Sequence, residues 1–274
     1  MRPCNHATFR FLSVFMLAAL AAAPFAARGA APALPSAGEK YVYNIRWSIF
    51  PAGRVVLQTL PSETIDGEVA HHFRMTAETN SLVDAFYKVR DRVDSWVDKD
   101  MTRSLRYEKS QHEGSTHREV LVTFDWDKNQ AEYVQNGISE GTVEIMEGCF
   151  DPLAVLHYFR FMELSPGAVF EAPVTDGKKA VMGRAKVVKK EKISIPLGDL
   201  SAWLVEPELT HVGGVFEKDE KASLQIWFAA EGPRVPVRIK SKVAVGSFVA
   251  ELAEVQKGTA PRTTQRESVE EYLP

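Results

Sequence analysis

A thiol, a carboxylate and an imidazole fall close together near the middle of the chain, as Cys149, Asp151 and His157. Such groups form a nucleophilic site when they converge. Here the spacing opposes convergence, because Asp151 stands before Pro152 at a predicted helix start, where a carboxylate caps free N–H groups. His157 follows on the same short helix, about two turns from the thiol. We therefore interpret Cys149 as a buried structural cysteine and predict no catalytic residue.

The histidines do not form a metal-binding pattern. His71 and His72 are adjacent in a predicted strand, so they point to opposite faces and do not share one ion. His112 and His117 flank a predicted hairpin turn at Gly114. Zinc requires three or four ligands in fixed geometry, which this pair does not supply. We interpret the turn as a solvated hairpin tip and predict neither a metal nor a cofactor.

Two acidic residues in one strand are candidates for hydrolytic chemistry, which requires two acids facing one cleft. Asp91 and Asp94 differ in parity, so a strand places them on opposite faces. Arg90 and Arg92 alternate with them. Cross-strand ion pairing is therefore the simpler interpretation of this segment.

The clearest functional signal in the sequence is a set of large apolar side chains. Aromatic side chains occupy predicted inward positions on several strands and along the predicted helix. Two interpretations stay open: a packed core, or a cavity that accepts an acyl chain or another apolar group. His71 shares the parity of Phe73, so it is the expected polar group of such a cavity. The predicted lining residues are Tyr43, Trp47, His71, Phe73, Trp203, Trp227, Tyr158 and Phe161, with Leu105 on a further strand.

The elements that position these residues have mostly the period of β-strands. From Glu39 onward apolar residues recur at every second position, in roughly a dozen segments separated by turn residues. The exception starts at Asp151-Pro152 and runs to Phe161; it is apolar on most faces, as a buried helix is. A sheet of this length twists and curls. The sequence therefore predicts a mainly β fold, a long antiparallel meander curled into an open or closed barrel-like sheet around one main α-helix.

The two ends of the chain differ from this middle part. Residues 1–29 have a basic start, an apolar run and a small-residue exit, which predicts a cleaved signal peptide rather than a retained anchor. Residues 30–38 are predicted to form a linker, residues 39–257 a single β-rich domain and residues 258–274 a disordered tail. Removal of the signal peptide takes away three arginines, so the net charge falls from −3 to −6. An acidic chain is not expected to bind nucleic acid, and no membrane span is expected after cleavage.

Spaced landmarks along the chain resemble those of an exported Gram-negative family, domain of unknown function 3108, over about Glu39 to Leu252. They start with a Tyr-rich strand and end near a late glycine. One departure is Gly232-Pro233, which stands where the family usually has an acidic residue. The landmarks are Ala52-Gly53, Asp125, Asp151-Pro152-Leu153, Tyr158-x-Arg160, Asp176-Gly177-Lys178, Trp227, Arg234-Val235-Pro236-Val237-Arg238 and Gly246.

The resemblance is structural and implies no catalytic signature. A long antiparallel sheet curled around a helix is also similar, in architecture, to periplasmic carriers of lipoproteins and lipids. We predict a periplasmic, non-enzymatic envelope protein that binds an apolar or amphiphilic ligand, such as a lipid or lipoprotein. The alternative is an envelope assembly factor acting through surface contacts with a partner protein, and the third hypothesis is an envelope hydrolase.

Overall fold

A computed structural model describes residues 34–209, 222–243 and 246–258 of the chain. The predicted signal peptide and nearly all of the predicted tail lie outside the described residues. One sheet of fourteen strands dominates the described part. A short helix, α1 (Ser81–Asp84), precedes the fourth strand. The strands are β1 (Lys40–Trp47), β2 (Phe50–Ile65), β3 (Glu68–Thr79), β4 (Arg90–Asp98), β5 (Ser104–Glu113), β6 (Thr116–Asp125), β7 (Gln130–Gln135), β8 (Ile138–Glu144), β9 (Val169–Thr175), β10 (Ala180–Ile195), β11 (Gly198–Pro207), β12 (Ser223–Ala229), β13 (Pro236–Val243) and β14 (Gly246–Gln256).

The period-two pattern explains why these segments are strands. In β6, Val120, Val122 and Phe124 are buried while the residues between them are partly exposed. Alternation of this kind gives a strand one face for the core and one face for solvent. The mainly β fold predicted from the sequence is confirmed.

Strand order shows which strands lie in the centre of the sheet and which form its edges. Each strand pairs antiparallel with its neighbour in sequence, except that β8 and β9 do not pair. β1 pairs with both β2 and β14, so the first and last strands lie side by side in the centre of the sheet. β8 and β9 are therefore the two edges of a single meander.

The chain between these two edge strands carries the main helix. It consists of α2 (Pro152–Tyr158) and a following 3₁₀ helix (Phe159–Phe161). α2 packs against β3, β4 and β9. Its residues from Pro152 to His157 are all buried, as the apolar character of every face predicted. Among the described residues no helix combines the length and apolar character that a membrane span requires.

Side chains bring the two edges of the sheet together without closing it by strand pairing. In the β9–β10 turn, Lys178 Nζ donates to Glu140 Oε2 of β8 at 2.6 Å. The ammonium lies 4.4 Å from the centre of the Tyr133 ring. The preceding residue, Gly177, has φ +89°, and a Cβ there would come within 2.7 Å of Val122 Cγ2. Only glycine lets this turn lie so close to β6. The result is a curled, open sheet.

Two details of the sheet differ from the sequence prediction. The apolar pattern of residues 235–257 predicts one strand bent at Gly246, but the structure has two paired strands there, β13 and β14, and Gly246 has φ +125° at the start of β14. Leu105 was expected to point inward. A β-bulge opposite Trp96 and Val97 turns Leu105 to the outer face, where it packs with Ala70 and Trp96. A bulge adds one residue to a strand and so reverses the face of its neighbours.

Candidate binding site in the curled sheet

Helix α2 is held to one end of the sheet by the carboxylate of Asp151. Its Oδ1 accepts from the backbone N–H groups of Leu153 (2.8 Å) and Ala154 (2.9 Å). Its Oδ2 accepts from the hydroxyls of Ser95 and Ser104, both at 2.6 Å. Burial raises the pKa of Asp151, and these four donors oppose the rise. The side chain thus caps the helix and joins it to β4 and β5.

Stacked aromatic rings fill the space between the helix and the sheet. The rings of His157 and Phe73 are parallel, with centroids 3.9 Å apart. Phe159 stacks on Phe228 of β12 with centroids 4.5 Å apart. Tyr158 is partly buried and packs against the same core. The half of the interior that holds the helix is therefore occupied by side chains.

Four of the predicted lining residues belong to the part of this core around the helix. Phe73 and Tyr43 are almost completely buried. The hydroxyl of Tyr43 donates to the carbonyl oxygen of Pro236 at 2.8 Å. Tyr158 and Phe161 are partly buried against the same cluster. The structure thus brings these four side chains into the packed region around the helix.

Trp227 is buried in the same cluster but on the face of β12 opposite Phe228. Its Nε1–H donates to Glu191 Oε1 at 2.9 Å, and the Arg238 guanidinium lies 5.7 Å from the ring centre. The next residue, Phe228, faces the helix. Successive strand residues alternate between faces, so Trp227 points away from the helix and is covered by charged side chains.

The other three predicted residues are less buried. Trp203 is partly buried against the core. Trp47 stacks on Phe248 with centroids 6.4 Å apart but is 38% exposed, because it is the last residue of β1. His71 stacks on Phe73 at 6.3 Å, which places it on the predicted face, while its Nε2 lies 3.1 Å from the Lys99 carbonyl oxygen. Six of the eight predicted residues therefore meet in one cluster, and Trp47 and His71 lie at its margin.

Charged groups face the interior beyond the helix, on β4 and β5. Asp91 pairs in register with Ala77, a core residue, so its side chain points inward. Asp91 Oδ1 accepts from the His112 backbone N–H at 2.7 Å. Burial raises the pKa of Asp91 to about 7, and the nearby Glu113 carboxylate adds to the rise. Burial also lowers the pKa of Lys109 on the same face of β5. These groups form a polar patch on the otherwise apolar inner face of the sheet.

Several buried polar atoms in the interior lack a hydrogen-bond partner among the described residues. They include both ring nitrogens of His157 and Ser241 Oγ, whereas the Asp91 carboxyl shares a hydrogen bond with Glu113. Ser241 pairs in register with Leu224 and Phe248, both core residues, so it also faces inward. Buried polar atoms are nearly always paired with protein, ordered water or ligand. The interior therefore offers positions for polar atoms that the described residues do not supply.

A different polar network lies on the outer face of β3 and β4. His72 Nδ1 is 2.8 Å from Glu63 Oε1, and its Nε2 is 2.7 Å from Asp94 Oδ1. Arg74 Nε donates to Asp94 Oδ1 at 2.7 Å. Burial alone would raise the pKa of Asp94, but the hydrogen bonds from His72 and Arg74 hold it below its ordinary value. Asp94 thus forms the predicted cross-strand ion pair, on the face opposite Asp91.

The environment of the Cys149 thiol does not activate it as a nucleophile. Burial raises the pKa of the Cys149 thiol to about 12, with the Asp151 carboxylate adding to the rise. A thiol with so high a pKa holds almost no thiolate at neutral pH. His157 faces Phe73, and the rings of His112 and His117 meet edge to face at 4.7 Å. Within the described ranges, no group of three or more His, Cys, Asp or Glu side chains is placed to hold a metal ion.

Two clefts open to solvent at the end of the sheet that carries the β2–β3, β4–β5 and β6–β7 turns. Their volumes are about 660 and 570 Å³, and Glu68 and Trp126 line both. Together they are lined by eight acidic and three basic side chains. Each basic side chain is paired with an acid: Lys99 with Asp100, Arg103 with Glu68 and Lys128 with Asp125. This end of the molecule is therefore strongly acidic.

An open antiparallel sheet curled around a short buried helix, with polar atoms facing an apolar interior, defines a class of barrel-like β protein. Within this class, the sequence profile of the family described as protein of unknown function (DUF3108) matches residues 42–253. The chain belongs to this family. No curated protein matches the chain.

One solved structure shows the same fold at low sequence identity. A β-barrel-like protein from Brucella abortus, of domain of unknown function DUF1849, has a TM-score of 0.52 and 10% identity; the match covers 83% of this chain and 100% of that one. A putative exported protein from Bacteroides fragilis with a YmcC-like fold has a TM-score of 0.39 and 11% identity, covering 83% and 100%. The similarity to the Brucella abortus protein concerns the fold alone.

Proposed function

We propose that this chain is an exported, non-enzymatic protein of the cell envelope that binds an apolar or amphiphilic molecule inside its curled sheet. The site is the half of the interior beyond helix α2. Export to the periplasm is supported by the basic, apolar and small-residue order of residues 1–29.

The observation that carries this proposal is an unpaired polar atom among apolar side chains of the interior. Ser241 Oγ is buried without a partner among the described residues, and its neighbours in register, Leu224 and Phe248, are apolar. An amphiphile would place its chain against these apolar side chains and a polar atom at Ser241 Oγ. Ala77 beside Asp91 and Ala250 on β14 are small inward residues of the core cluster.

The absence of catalysis is also a proposal, supported by how the reactive side chains are used. Both ring nitrogens of His72 are engaged by carboxylates. The Cys149 thiol has a raised pKa, and Asp151 is saturated with four donors. None of these groups is free to act as a nucleophile or base. A turnover abolished by substituting a single acid or histidine would instead support the hydrolase hypothesis.

Native mass spectrometry of protein recovered from its own periplasm tests the proposal. We expect a bound apolar or amphiphilic molecule in the wild type. Ala77→Trp should lose it, because the indole fills the space beside Asp91, and the milder Ala250→Leu should reduce it. Val255→Trp adds bulk at an exposed position outside the interior and should keep the molecule. A wild-type protein that never carries such a molecule would overturn the proposal.

The second candidate is an assembly factor that acts through surface contacts with an envelope protein. It is favoured by the aromatic stacking that fills the helix-containing half of the interior. The same experiment separates the two functions. An interior without ligand, together with a specific protein captured by crosslinking at the surface, would support the assembly factor.

A further inference from the structure

Large apolar side chains are exposed at one end of the sheet. In the β1–β2 turn, Ile49 is 79% exposed and Phe50 is 59% exposed. In and after α1, Leu82 is 62% exposed and Phe86 is 86% exposed. Scattered surface apolar residues are ordinary, but a concentration of large ones marks an interaction site.

Hydrogen bonds show that these two segments form one surface. The backbone N–H of Asn80 donates to the Ala52 carbonyl oxygen at 2.9 Å. The Asn80 amide Nδ2 donates to the Pro51 carbonyl oxygen at 2.7 Å, and its Oδ1 accepts from Val83 N–H at 3.0 Å, capping α1. One side chain therefore holds the α1 segment against the β1–β2 turn. We call the surface formed by residues 49–50 and 82–86 the apolar tip.

The charges around the apolar tip favour an anionic partner. The two carboxylates nearest to it are neutralised, Asp84 by Arg90 and Glu78 by Arg54. Lys88, two residues after Phe86, is exposed and has no ion pair within the described part of the chain. Among the described residues around the apolar tip, the uncompensated charge is therefore the positive charge of Lys88, although the whole chain has a net charge of −3.

The opposite end has the opposite character. β2 is 16 residues long, so the β1–β2 and β2–β3 turns are separated by roughly 50 Å of strand. The acidic clefts open at the β2–β3 turn, beside Asp66 and Glu68. An anionic surface attracts the apolar tip and repels the acidic end, and so fixes the orientation of the molecule.

We propose that the apolar tip is a membrane-docking surface, which inserts Ile49, Phe50, Leu82 and Phe86 into the interface of an anionic phospholipid bilayer. Aromatic and aliphatic side chains insert at the level of the lipid head groups, and a neighbouring lysine contacts the anionic phosphates. A bilayer fits this surface better than a protein partner, because the exposed apolar side chains stand on two adjacent turns, beside a lysine without an ion pair among the described residues. The proposal does not depend on an interior ligand, and it stands if the interior proves empty.

Vesicle flotation tests this docking surface with the chain from Ala30 onward, which contains every strand of the sheet and omits the apolar leader. We expect binding to vesicles of phosphatidylglycerol and phosphatidylethanolamine that weakens with salt, and much less binding to phosphatidylcholine alone. Phe86→Ser and Ile49→Ser should each weaken it about tenfold, the effect of withdrawing one large apolar side chain. Lys88→Gln should reduce the salt dependence.

Matched controls lie at the acidic end of the same sheet. Val69 is 55% exposed and Leu197 is 51% exposed, in or beside turns at the far end. Val69→Ser and Leu197→Ser should leave vesicle binding unchanged, and equal melting temperatures should show that all variants are folded. The proposal is overturned if the wild type binds neither vesicle, or if tip and control variants lose binding equally. A photocrosslinker at position 86 that captures a protein and no lipid would overturn it in favour of a protein partner.

Discussion

Phe73 and His157 stack face to face in the centre of the molecule, with ring centroids 3.9 Å apart and planes tilted by 13°. The contact joins β3 to helix α2, and the imidazole takes part in it as a stacked aromatic ring. Neither ring nitrogen of His157 has a hydrogen-bond partner within the described ranges. Burial, with the Arg160 charge adding to it, lowers the pKa of His157 well below its ordinary value. The core therefore depends on this histidine staying neutral.

His157→Phe should make the fold less sensitive to acid. The pKa of His157 is lowered in the folded state. As pH falls below about 6.5, the unfolded chain therefore binds a proton that the native state does not bind. The stability contributed above that pH is then lost at up to about 1.4 kcal/mol per pH unit. Denaturant titrations at pH 7.5 and pH 5 should show a smaller loss for the variant than for the wild type. Parallel losses in both proteins would contradict this.

Asp91→Asn should act in the opposite direction. The pKa of Asp91 is raised to about 7, so between about pH 4 and pH 7 the native state holds a proton that the unfolded chain has lost. The carboxyl thus favours folding at low pH, and this contribution is lost as pH rises through 7. An asparagine keeps the acceptor for the His112 N–H without an ionisable group.

Unfolding measured at pH 8 should therefore show Asp91→Asn more stable than the wild type by at least about 1 kcal/mol, with the gap closing near pH 4. Asp127→Asn, at an exposed position, is the control and should change little at either pH. A gap that is constant across pH would show that Asp91 does not titrate differently in the folded state.

Local chemistry made the helix and most of the strands predictable. Asp151 before Pro152 is sufficient to start a helix, and the apolar residues that follow require burial. The structure shows both, with Asp151 capping a helix whose residues 152–157 are buried. Strand parity likewise placed Asp91 and Asp94 on opposite faces, which is the arrangement found.

Long-range features were not predictable in the same way. Strand alternation predicts the wrong face for Leu105, because a single bulge reverses the face of a residue. Bulges leave little trace in a sequence. The outward position of Trp227 depends on which strands pair with β12. The inward polar patch was missed although Lys109, Gln111 and Glu113 alternate on one face of β5, a pattern that indicates an unusual interior. Its partner Asp91 becomes visible only once β4 and β5 are paired.

Asp151→Ala should destabilise the fold by roughly 2–4 kcal/mol, because it removes a helix cap and leaves two buried serine hydroxyls without their acceptor. Asp151→Asn should cost less, since its amide oxygen can still accept from Leu153 and Ala154. Denaturant titration of both variants at pH 7 gives the comparison. Equal losses would mean that the cap contributes little and that the bonds to Ser95 and Ser104 dominate.

Phe159→Ala should destabilise the fold by about 3–5 kcal/mol, the usual cost of emptying an aromatic core site. Phe159 is fully buried, stacks on Phe228 and meets Phe170 edge to face at 5.5 Å. Phe86→Ala removes the same ring from an exposed position and should cost less than about 1 kcal/mol. A loss below about 1 kcal/mol for Phe159→Ala as well would show that the helix is not part of the cooperative core.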